Sequence, residues 1–236
     1  YAAAIMLILL SHEMGHYLMC RRYGVQCTPP MFLPVPITPF GTLGAVILMR
    51  QRIRSRRVVF DIGIAGPLAG ILPALAAAVW GIAHSRAVPV PAPGADVLQL
   101  GDSLFFLGLQ ALLRPDLPAG FELMLHPVAY AGWAGLFVTA LNLLPVGQLD
   151  GGHVLYGLIG RRFRLVSYVI LAGLAVLAIW NPSWWLLVAL LAFFGRRGHP
   201  PSDDEEVPLG ARRTALGLLA MAIFVLSFTP RPISIP

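Results

Sequence analysis

The sequence has no lysine, only two cysteines and few charged residues of any kind. Charged side chains make up 12% of the 236 residues and apolar ones 57%, whereas soluble domains have about 25% charged and about 45–50% apolar residues. This composition excludes an ordinary soluble globular protein. The two cysteines, Cys20 and Cys27, do not form a CxxC pair, and two cysteines are too few for a disulfide framework. Both are therefore predicted to be unpaired thiols.

All 17 basic residues are arginines, and they give the chain a net charge of +6. A basic chain can bind nucleic acid when its positive charges share a polar face. Here the arginines stand in short clusters beside apolar runs, which is the pattern that orients membrane spans. The clusters are Arg21-Arg22, 50–57, 161–164, Arg196-Arg197 and Arg212-Arg213. The charge pattern therefore predicts an integral membrane protein surrounded by a lipid bilayer, with no nucleic-acid partner.

Six apolar runs predict about six transmembrane helices, because a helical span needs about 20 apolar residues. The runs are 1–20, 58–83, 123–145, 165–180, 184–194 and 214–228. The fourth and fifth are short and are separated by Asn181-Pro182-Ser183, so they form one broken helix or a tight hairpin. The hairpin is favoured because it leaves all arginine clusters on one side, which the positive-inside tendency assigns to the cytoplasm.

The segment 29–49 is apolar but has five prolines ahead of Gly44, a density that excludes a helix interior. A re-entrant or interfacial segment fits this composition, with a strand or hairpin over 41–49. The connection 87–120 contains a ten-residue apolar run, 104–113, which is too short to span and is expected to form a lid or an interfacial helix. The predicted class is an all-α polytopic membrane protein with a re-entrant β-strand or hairpin near the active site.

The pattern His12-Glu13-Met14-Gly15-His16 lies inside the first apolar run. On a helix, residues i and i+4 share one face, so His12 and His16 can bind one zinc ion while Glu13 reaches the water beside it. The alternative is a pair of hydrogen-bonded core histidines. Three ionisable groups in one turn of a membrane span are costly, however, and indicate a function.

A zinc site of this kind needs a third protein ligand, for which the sequence offers Cys20 and Asp150. Cys20 lies about 12 Å along a helix from His12, whereas zinc–ligand bonds are about 2.0–2.3 Å long, so Cys20 is disfavoured. Asp150 is the only acid between Glu122 and Asp203, and it stands at the end of a predicted span before two glycines. Asp150 can also begin a helix as its N-cap, and the two roles are compatible.

Three motifs follow one another along the chain: His12-Glu13-Met14-Gly15-His16, then Gly41-Thr42-Leu43-Gly44-Ala45, then the sequence NLLPVGQLDG at 142–151. They match the HExxH, GxxGA-type and NxxPxxxxLDG-type motifs of the site-2 protease family of intramembrane zinc metalloproteases, in that family's order. The first motif alone is shared by many zinc peptidases, but the three together inside apolar spans are highly specific. The chain therefore resembles this family over well more than half of its length.

The resemblance implies hydrolysis of a peptide bond in or near the transmembrane helix of a membrane-protein substrate, as in regulated intramembrane proteolysis. It implies one zinc ion per chain, held by His12, His16 and Asp150, with Glu13 as the general base. Zinc lowers the pKa of the water bound to it, which makes attack on a peptide carbonyl feasible.

The resemblance also implies roles for residues outside the metal ligands. Asn142 is expected to help hold the substrate or the oxyanion. A strand edge is expected to bind the unwound substrate, and it is formed by Gly41, Thr42, Leu43, Gly44 and Ala45. His153 follows the aspartate motif closely, and it either supports the metal ligands or has a structural or substrate-contact role.

The chain is expected to be one membrane-embedded metalloprotease domain, 1–236, with its catalytic core over about 1–160 and accessory helices over about 165–229. Many relatives carry a PDZ domain, for which the connection 87–120 is too short, so a minimal form is expected. Because Tyr1 already lies inside an apolar run, the natural N-terminus is expected to precede it. The expected location is a prokaryotic-type plasma membrane, with the active site towards the cytoplasmic side, since His12 lies only about 13 Å by helical rise from Arg21.

Two alternatives remain open on the sequence. Another kind of membrane zinc peptidase would use a glutamate as third ligand, but the isolated candidate, Glu122, lies near a span boundary and away from the predicted depth of the metal. A catalytically inactive metal-binding scaffold or a transporter is the other alternative. A transporter is expected to have polar residues in several spans, and 58–83 and 214–228 have few.

Overall fold

The fold is that of a computed structural model, which describes residues 1–34, 42–49, 51, 53, 55–90, 99–195 and 207–234. Eight α-helices make up most of this described part. They are α1 (Ala2–Arg22), α2 (Arg56–Ala83), α3 (Leu104–Leu113), α4 (Pro127–Asn142), α5 (Asp150–Ile159), α6 (Phe163–Trp180), α7 (Trp185–Gly195) and α8 (Ala211–Ser227). Short 3-10 turns at Gly160–Arg162 and Pro182–Trp184 come directly before α6 and α7.

Six short strands accompany the helices in the described residues and form three two-stranded antiparallel sheets, β1–β2, β3–β5 and β4–β6. The strands are β1 (Met31–Pro34), β2 (Thr42–Val46), β3 (Arg86–Pro89), β4 (Gln99–Leu100), β5 (Phe121–Met124) and β6 (Ile233–Ser234). The sheet β1–β2 lies within the predicted hairpin segment, with Phe32 opposite Ala45, and its re-entry into a bilayer stays a prediction. The protein is thus mostly helical, as expected, and the described residues add two short two-stranded sheets outside the predicted hairpin segment.

Three continuous helical segments of the described chain are long and apolar enough to cross a membrane: Ala2–Arg22, Arg56–Ala83 and Asp150–Trp180. Helices α4, α7 and α8 have 16, 11 and 17 residues, fewer than the about 20 that one helix needs to span. The predicted number of six crossings is therefore not confirmed and stays a prediction. The predicted short helix at 104–113 is confirmed as α3.

Helix α2 is the centre of the fold, because α1, α4 and α5 all pack against it. Its 28 residues extend over roughly 42 Å, enough to cross a bilayer. Two small residues of α2, Gly66 and Gly70, lie where α1 crosses α2. A Cβ atom at Gly66 would collide with the imidazole of His16, and one at Gly70 would lie 3.0 Å from Cβ of His12. These glycines therefore let the two histidines of α1 face α2 at short range.

Helices α4 and α5 run end to end along α2, in the opposite direction. Gly132 of α4 packs on the backbone of Ala78, and Gly157 of α5 packs on the ring of Phe60. The residues between them, 143–149, are not helical, and they include Pro145, which lacks an N–H for a helical hydrogen bond. The predicted span 123–145 thus ends earlier, at Asn142. The break places Asp150, the first residue of α5, beside Gly63 of α2.

Two clusters of buried apolar side chains hold these elements together. The main one joins α1, α2 and α4 and includes Ile8, Phe60 and Trp133. The second joins α6 and α7 to the end of α4 and includes Leu174 and Trp184. The helices after residue 160 are thereby packed onto the part of the chain that carries the three motifs.

Candidate metal centre

The three predicted metal ligands lie together although Asp150 is more than 130 residues from both histidines in the sequence. His12 and His16 lie on successive turns of α1, and Asp150 begins α5. Oδ2 of Asp150 is 3.1 Å from Nε2 of His12 and 3.2 Å from Nε2 of His16, and the two Nε2 atoms are 3.1 Å apart. Their side chains are only 7%, 12% and 17% exposed, for His12, His16 and Asp150 respectively.

The spacing and chemistry of these atoms fit one zinc ion. Ligand atoms of a tetrahedral zinc with bonds of about 2.0–2.1 Å lie about 3.3 Å from one another, close to the sides of the observed triangle. Imidazole nitrogen and carboxylate oxygen are both zinc ligands, and catalytic zinc sites have three protein ligands and one open position. His12, His16 and Asp150 therefore form a ligand group of the right number, type and size for a catalytic zinc.

The ring of His16 is oriented by a hydrogen bond to α2. Its Nδ1 donates to the backbone carbonyl of Ile62 over 2.7 Å. Because this bond keeps the proton on Nδ1, Nε2 directs its lone pair towards His12 and Asp150, as a metal ligand requires. The ring reaches Ile62 across the position where Gly66 has no side chain.

A cavity of about 270 Å³ adjoins the ligand group and contains the other predicted polar residues. Glu13 lines it from α1 and is 9% exposed. Asn142 lines it from the end of α4, with Nδ2 at 3.3 Å from Nε2 of His12. His153 lines it from α5, and a Cβ atom at Gly63 of α2 would lie 2.6 Å from Cβ of His153. The carboxylate, the amide and the third histidine thus share one space with the ligand atoms.

The predicted substrate-binding segment is described in part. Gly41 lies outside the described residues, while Thr42, Leu43, Gly44 and Ala45 belong to β2. Ala45 and the next residue, Val46, line the cavity. In the described part of the chain β2 pairs with β1 and with no other strand, so it has a second edge along which a strand can be added.

The two other candidate ligands lie outside this group. Cys20 is fully buried and lines the same cavity, but its sulfur is not among the ligand atoms that lie within 4.8 Å of one another. Glu122 lies on β5, whose partner β3 follows the other end of α2, and it lines a different cavity. The structure therefore contradicts the alternative with Glu122 as third ligand.

Sequence reasoning missed two residues of the site. The Ile62 carbonyl orients His16, and Gln148 lines the cavity from the break between α4 and α5. No side-chain pattern marks a backbone acceptor such as that of Ile62. A signal was present in the spacing of Gly63, Gly66 and Gly70, because three small residues on one helix face indicate that neighbouring helices approach closely there.

Comparison with known proteins assigns the chain to a class. The sequence model of peptidase family M50 matches residues 1–180. The chain belongs to this family, the site-2 protease family, which confirms the family expected from the three motifs.

The chain is similar to three plant proteins over almost its whole length. It is 34% identical to the probable zinc metalloprotease EGY1, chloroplastic, of Arabidopsis thaliana over 239 residues, or 97% of this chain and 42% of that protein. Identity to the protein of the same name from Oryza sativa subsp. japonica is 32%, over 97% and 40% of the two chains. Identity to the probable zinc metalloprotease EGY3, chloroplastic, of Oryza sativa subsp. indica is 30%, over 97% and 41%.

Two points follow from these relatives. The chain spans about two fifths of the length of the curated relatives it matches. Their names describe zinc metalloproteases, which agrees with the donor set of the site and with the expected cofactor. The same names describe chloroplast proteins, so they give no support to the expected prokaryotic-type plasma membrane.

Proposed function

We propose that this chain is the catalytic part of a zinc metalloprotease that cleaves a peptide bond in or near the transmembrane helix of a membrane-protein substrate. The observation that carries this proposal is the convergence of His12, His16 and Asp150 among apolar helices, with Glu13 in the adjoining cavity. Membership of peptidase family M50 supports the same reaction.

In this proposal the ligand group and Glu13 divide the chemistry between them. His12, His16 and Asp150 hold the zinc ion, which when bound supplies Lewis-acid activation of water and of the scissile carbonyl. Glu13 accepts a proton from the attacking water and then delivers it to the leaving amine. Glu13 lies between the two histidines in the sequence and lines the same buried cavity. Its carboxylate therefore lies within reach of the reacting atoms.

Asn142 is proposed to act on the substrate carbonyl. Its Nδ2 donor points into the centre, 3.3 Å from Nε2 of His12. An amide donor beside the ligand atoms can stabilise the negative charge that develops on the carbonyl oxygen during attack. Asn142 ends α4, directly before the break, so its side chain extends into the cavity and not along the helix.

We propose that the substrate binds along β2. A transmembrane helix hides its peptide groups in internal hydrogen bonds and must unwind before a protease can reach them. An unwound segment added to the second edge of β2, over 42–45, would satisfy the freed groups by β-augmentation. The small side chain of Ala45 in the cavity wall supports this, because it leaves room beside the ligand group.

The position of the site in the bilayer is also a proposal. The ligand group belongs on the side of the membrane that carries the arginine clusters, since His12 is about 13 Å by helical rise from Arg21 at the end of α1. That side is the cytoplasmic one under the positive-inside tendency. The catalytic core over about 1–160 and the accessory helices over about 165–229 form the proposed single domain.

The proposal is tested by reconstituting the full protein in lipid vesicles with a reporter whose single transmembrane helix carries a label at each end. We expect cleavage of the reporter within its apolar segment, loss of cleavage when a zinc chelator is added, and recovery when zinc is restored. Cleavage that persists after zinc has been removed, as verified by elemental analysis, would contradict the proposed chemistry. Zinc binding without any cleavage would favour the inactive metal-binding scaffold.

A further inference from the structure

A second cavity, of about 630 Å³, lies where α2 begins and where α5 turns into α6. It shares no lining residue with the cavity at the metal centre. Its walls combine two guanidinium groups with four aliphatic side chains: Arg56, Leu158, Ile159, Arg162, Leu165 and Val166. The proposed protease chemistry uses none of these residues.

One of the two positive charges in this cavity is held in place by the fold. Arg56 donates from Nε to the carbonyl of Gly157 over 3.0 Å, close to the C-terminal end of α5. A positive charge is favourable there because the carbonyl end of a helix carries a partial negative charge. Gly160, with a φ of +61°, interrupts the helical backbone between α5 and α6, and a Cβ atom at Gly160 would lie 3.8 Å from Cζ of Arg56.

The second positive charge belongs to Arg162, which lines the same cavity and has no acidic partner in the part of the chain that the structure describes. Arg162 is exposed and belongs to the turn Gly160–Arg162 that precedes α6. Two like charges on the walls of one cavity repel each other, and an anion between them converts the repulsion into attraction. Guanidinium groups bind phosphate oxygens particularly well, through paired hydrogen bonds.

The remaining walls select among the possible anions. Ile159 and Leu165 are 38% and 70% exposed, and Val169, one turn further along α6, is 63% exposed. This apolar face leads away from the arginines along a segment that is long and apolar enough to span a membrane. A free phosphate gains nothing from aliphatic walls, whereas a phospholipid brings a phosphate and an acyl chain together. Basic pockets beside transmembrane helices bind lipid headgroups in this way.

We infer that this cavity binds one anionic phospholipid, with its phosphate between Arg56 and Arg162 and an acyl chain along Leu165 and Val166. The positive-inside tendency accounts for arginines at this end of the helices, but it does not account for two of them lining one cavity together with aliphatic side chains. Because the site lies at the α5–α6 turn, a bound lipid holds the C-terminal end of the helix whose first residue is Asp150.

The experiment is native mass spectrometry of the full protein released from nanodiscs that contain equal amounts of phosphatidylglycerol and phosphatidylcholine. We expect one phosphatidylglycerol to be retained in preference to phosphatidylcholine, and Arg162→Glu to weaken this retention about tenfold, as loss of a charged hydrogen bond predicts. Arg164→Glu is the matched control, since it makes the same charge change on the same segment but lies outside the cavity wall, and it should retain the lipid. Equal melting temperatures of the two variants establish that both are folded.

Three results would overturn the inference. The first is equal loss of lipid in Arg162→Glu and Arg164→Glu, which would show diffuse charge attraction. The second is no preference for phosphatidylglycerol in the unmodified protein. The third is displacement of the bound lipid by millimolar glycerol phosphate, which would show that the site recognises a soluble phosphate and not a lipid.

Discussion

The imidazole of His16 occupies a space on α2 that exists because residue 66 has no side chain. The ring crosses this space to donate its Nδ1 proton to Ile62, and the same contact aims Nε2 at the other two ligand atoms. The hydrogen bond between His16 and the Ile62 carbonyl thus depends on Gly66, although glycine has no side chain that could bind a metal.

We therefore expect Gly66→Ala to displace His16 and weaken zinc binding about tenfold. The added Cβ collides with the imidazole, and overpacking of this kind costs about 1–3 kcal/mol. Zinc per chain after dialysis against a buffered metal solution measures the effect. Gly173→Ala is the control, because a Cβ there meets no atom within 4 Å, and its zinc content should equal that of the unmodified protein. Normal zinc content in Gly66→Ala would contradict the proposal that packing against Gly66 positions His16 as a metal ligand.

A second expectation at this scale concerns Asn142. If its amide stabilises the oxyanion, Asn142→Ala should lower kcat about 10²–10³-fold while zinc stays bound, because the amide is not one of the three ligands. Cleavage rates and metal content of the same preparation separate these effects. Loss of zinc together with activity would show that Asn142 supports the ligands and does not act on the substrate.

At the scale of elements, α8 is joined to α2 by an ion pair between Arg213 and Asp61, close to the residue of α2 that orients His16. Arg213 donates two hydrogen bonds of 2.8 Å to the carboxylate of Asp61, which also accepts one from Tyr23 at the end of α1. Asp61 immediately precedes Ile62, the residue that orients His16. Three helices are therefore tied together at this point.

Removing Arg213 should destabilise the protein because it leaves the Asp61 carboxylate, which is only 14% exposed, without its main partner. We expect Arg213→Ala to lower the free energy of unfolding by about 1–3 kcal/mol. Arg212→Ala removes the same charge from the neighbouring exposed position and should have little effect. Denaturant melts in detergent measure both variants, and equal stability of the two would contradict a role for the ion pair.

How well the elements can be predicted from the sequence depends on how local their determinants are. Helix α3 is marked by its own apolar run, and the break before Asp150 is marked by Pro145 and the following glycines. Strands β4 and β6 are two residues long and pair across more than 130 residues, so no local pattern reveals them. The single span expected at 123–145 becomes β5 and α4 because the residues 121–124 pair with β3.

The candidate site was more predictable than the fold around it. Side chains with specific chemistry at fixed spacing, His12, Glu13 and His16, indicate a metal on any helix, and Asp150 stands out because acids are rare in this chain. The contacts that orient them were not predictable, since the Ile62 carbonyl and the shape of α2 at Gly66 arise only when the helices pack.

At the scale of the whole molecule, two features of the charge distribution stand out: arginines at the end of the helices where α2 begins, and one interior group of ionisable residues. Arg56 and Arg162 line the cavity proposed to bind lipid, while Glu13 and Asp150 accompany the histidines among apolar helices. An isolated ionisable group is costly at such depth, so a group of them indicates a shared metal and a reaction that needs it. The central claim is that Glu13 performs the proton transfer of peptide hydrolysis at this site.

The most direct test is the cleavage rate of Glu13→Gln, measured with its zinc content in the same preparation. Glutamine keeps the shape of the side chain but cannot accept the proton, so we predict a full complement of zinc and a cleavage rate at least 10²-fold lower. Glu122→Gln makes the same change in a different cavity and should leave the rate unchanged. Undiminished cleavage by Glu13→Gln with zinc bound would contradict the proposed mechanism.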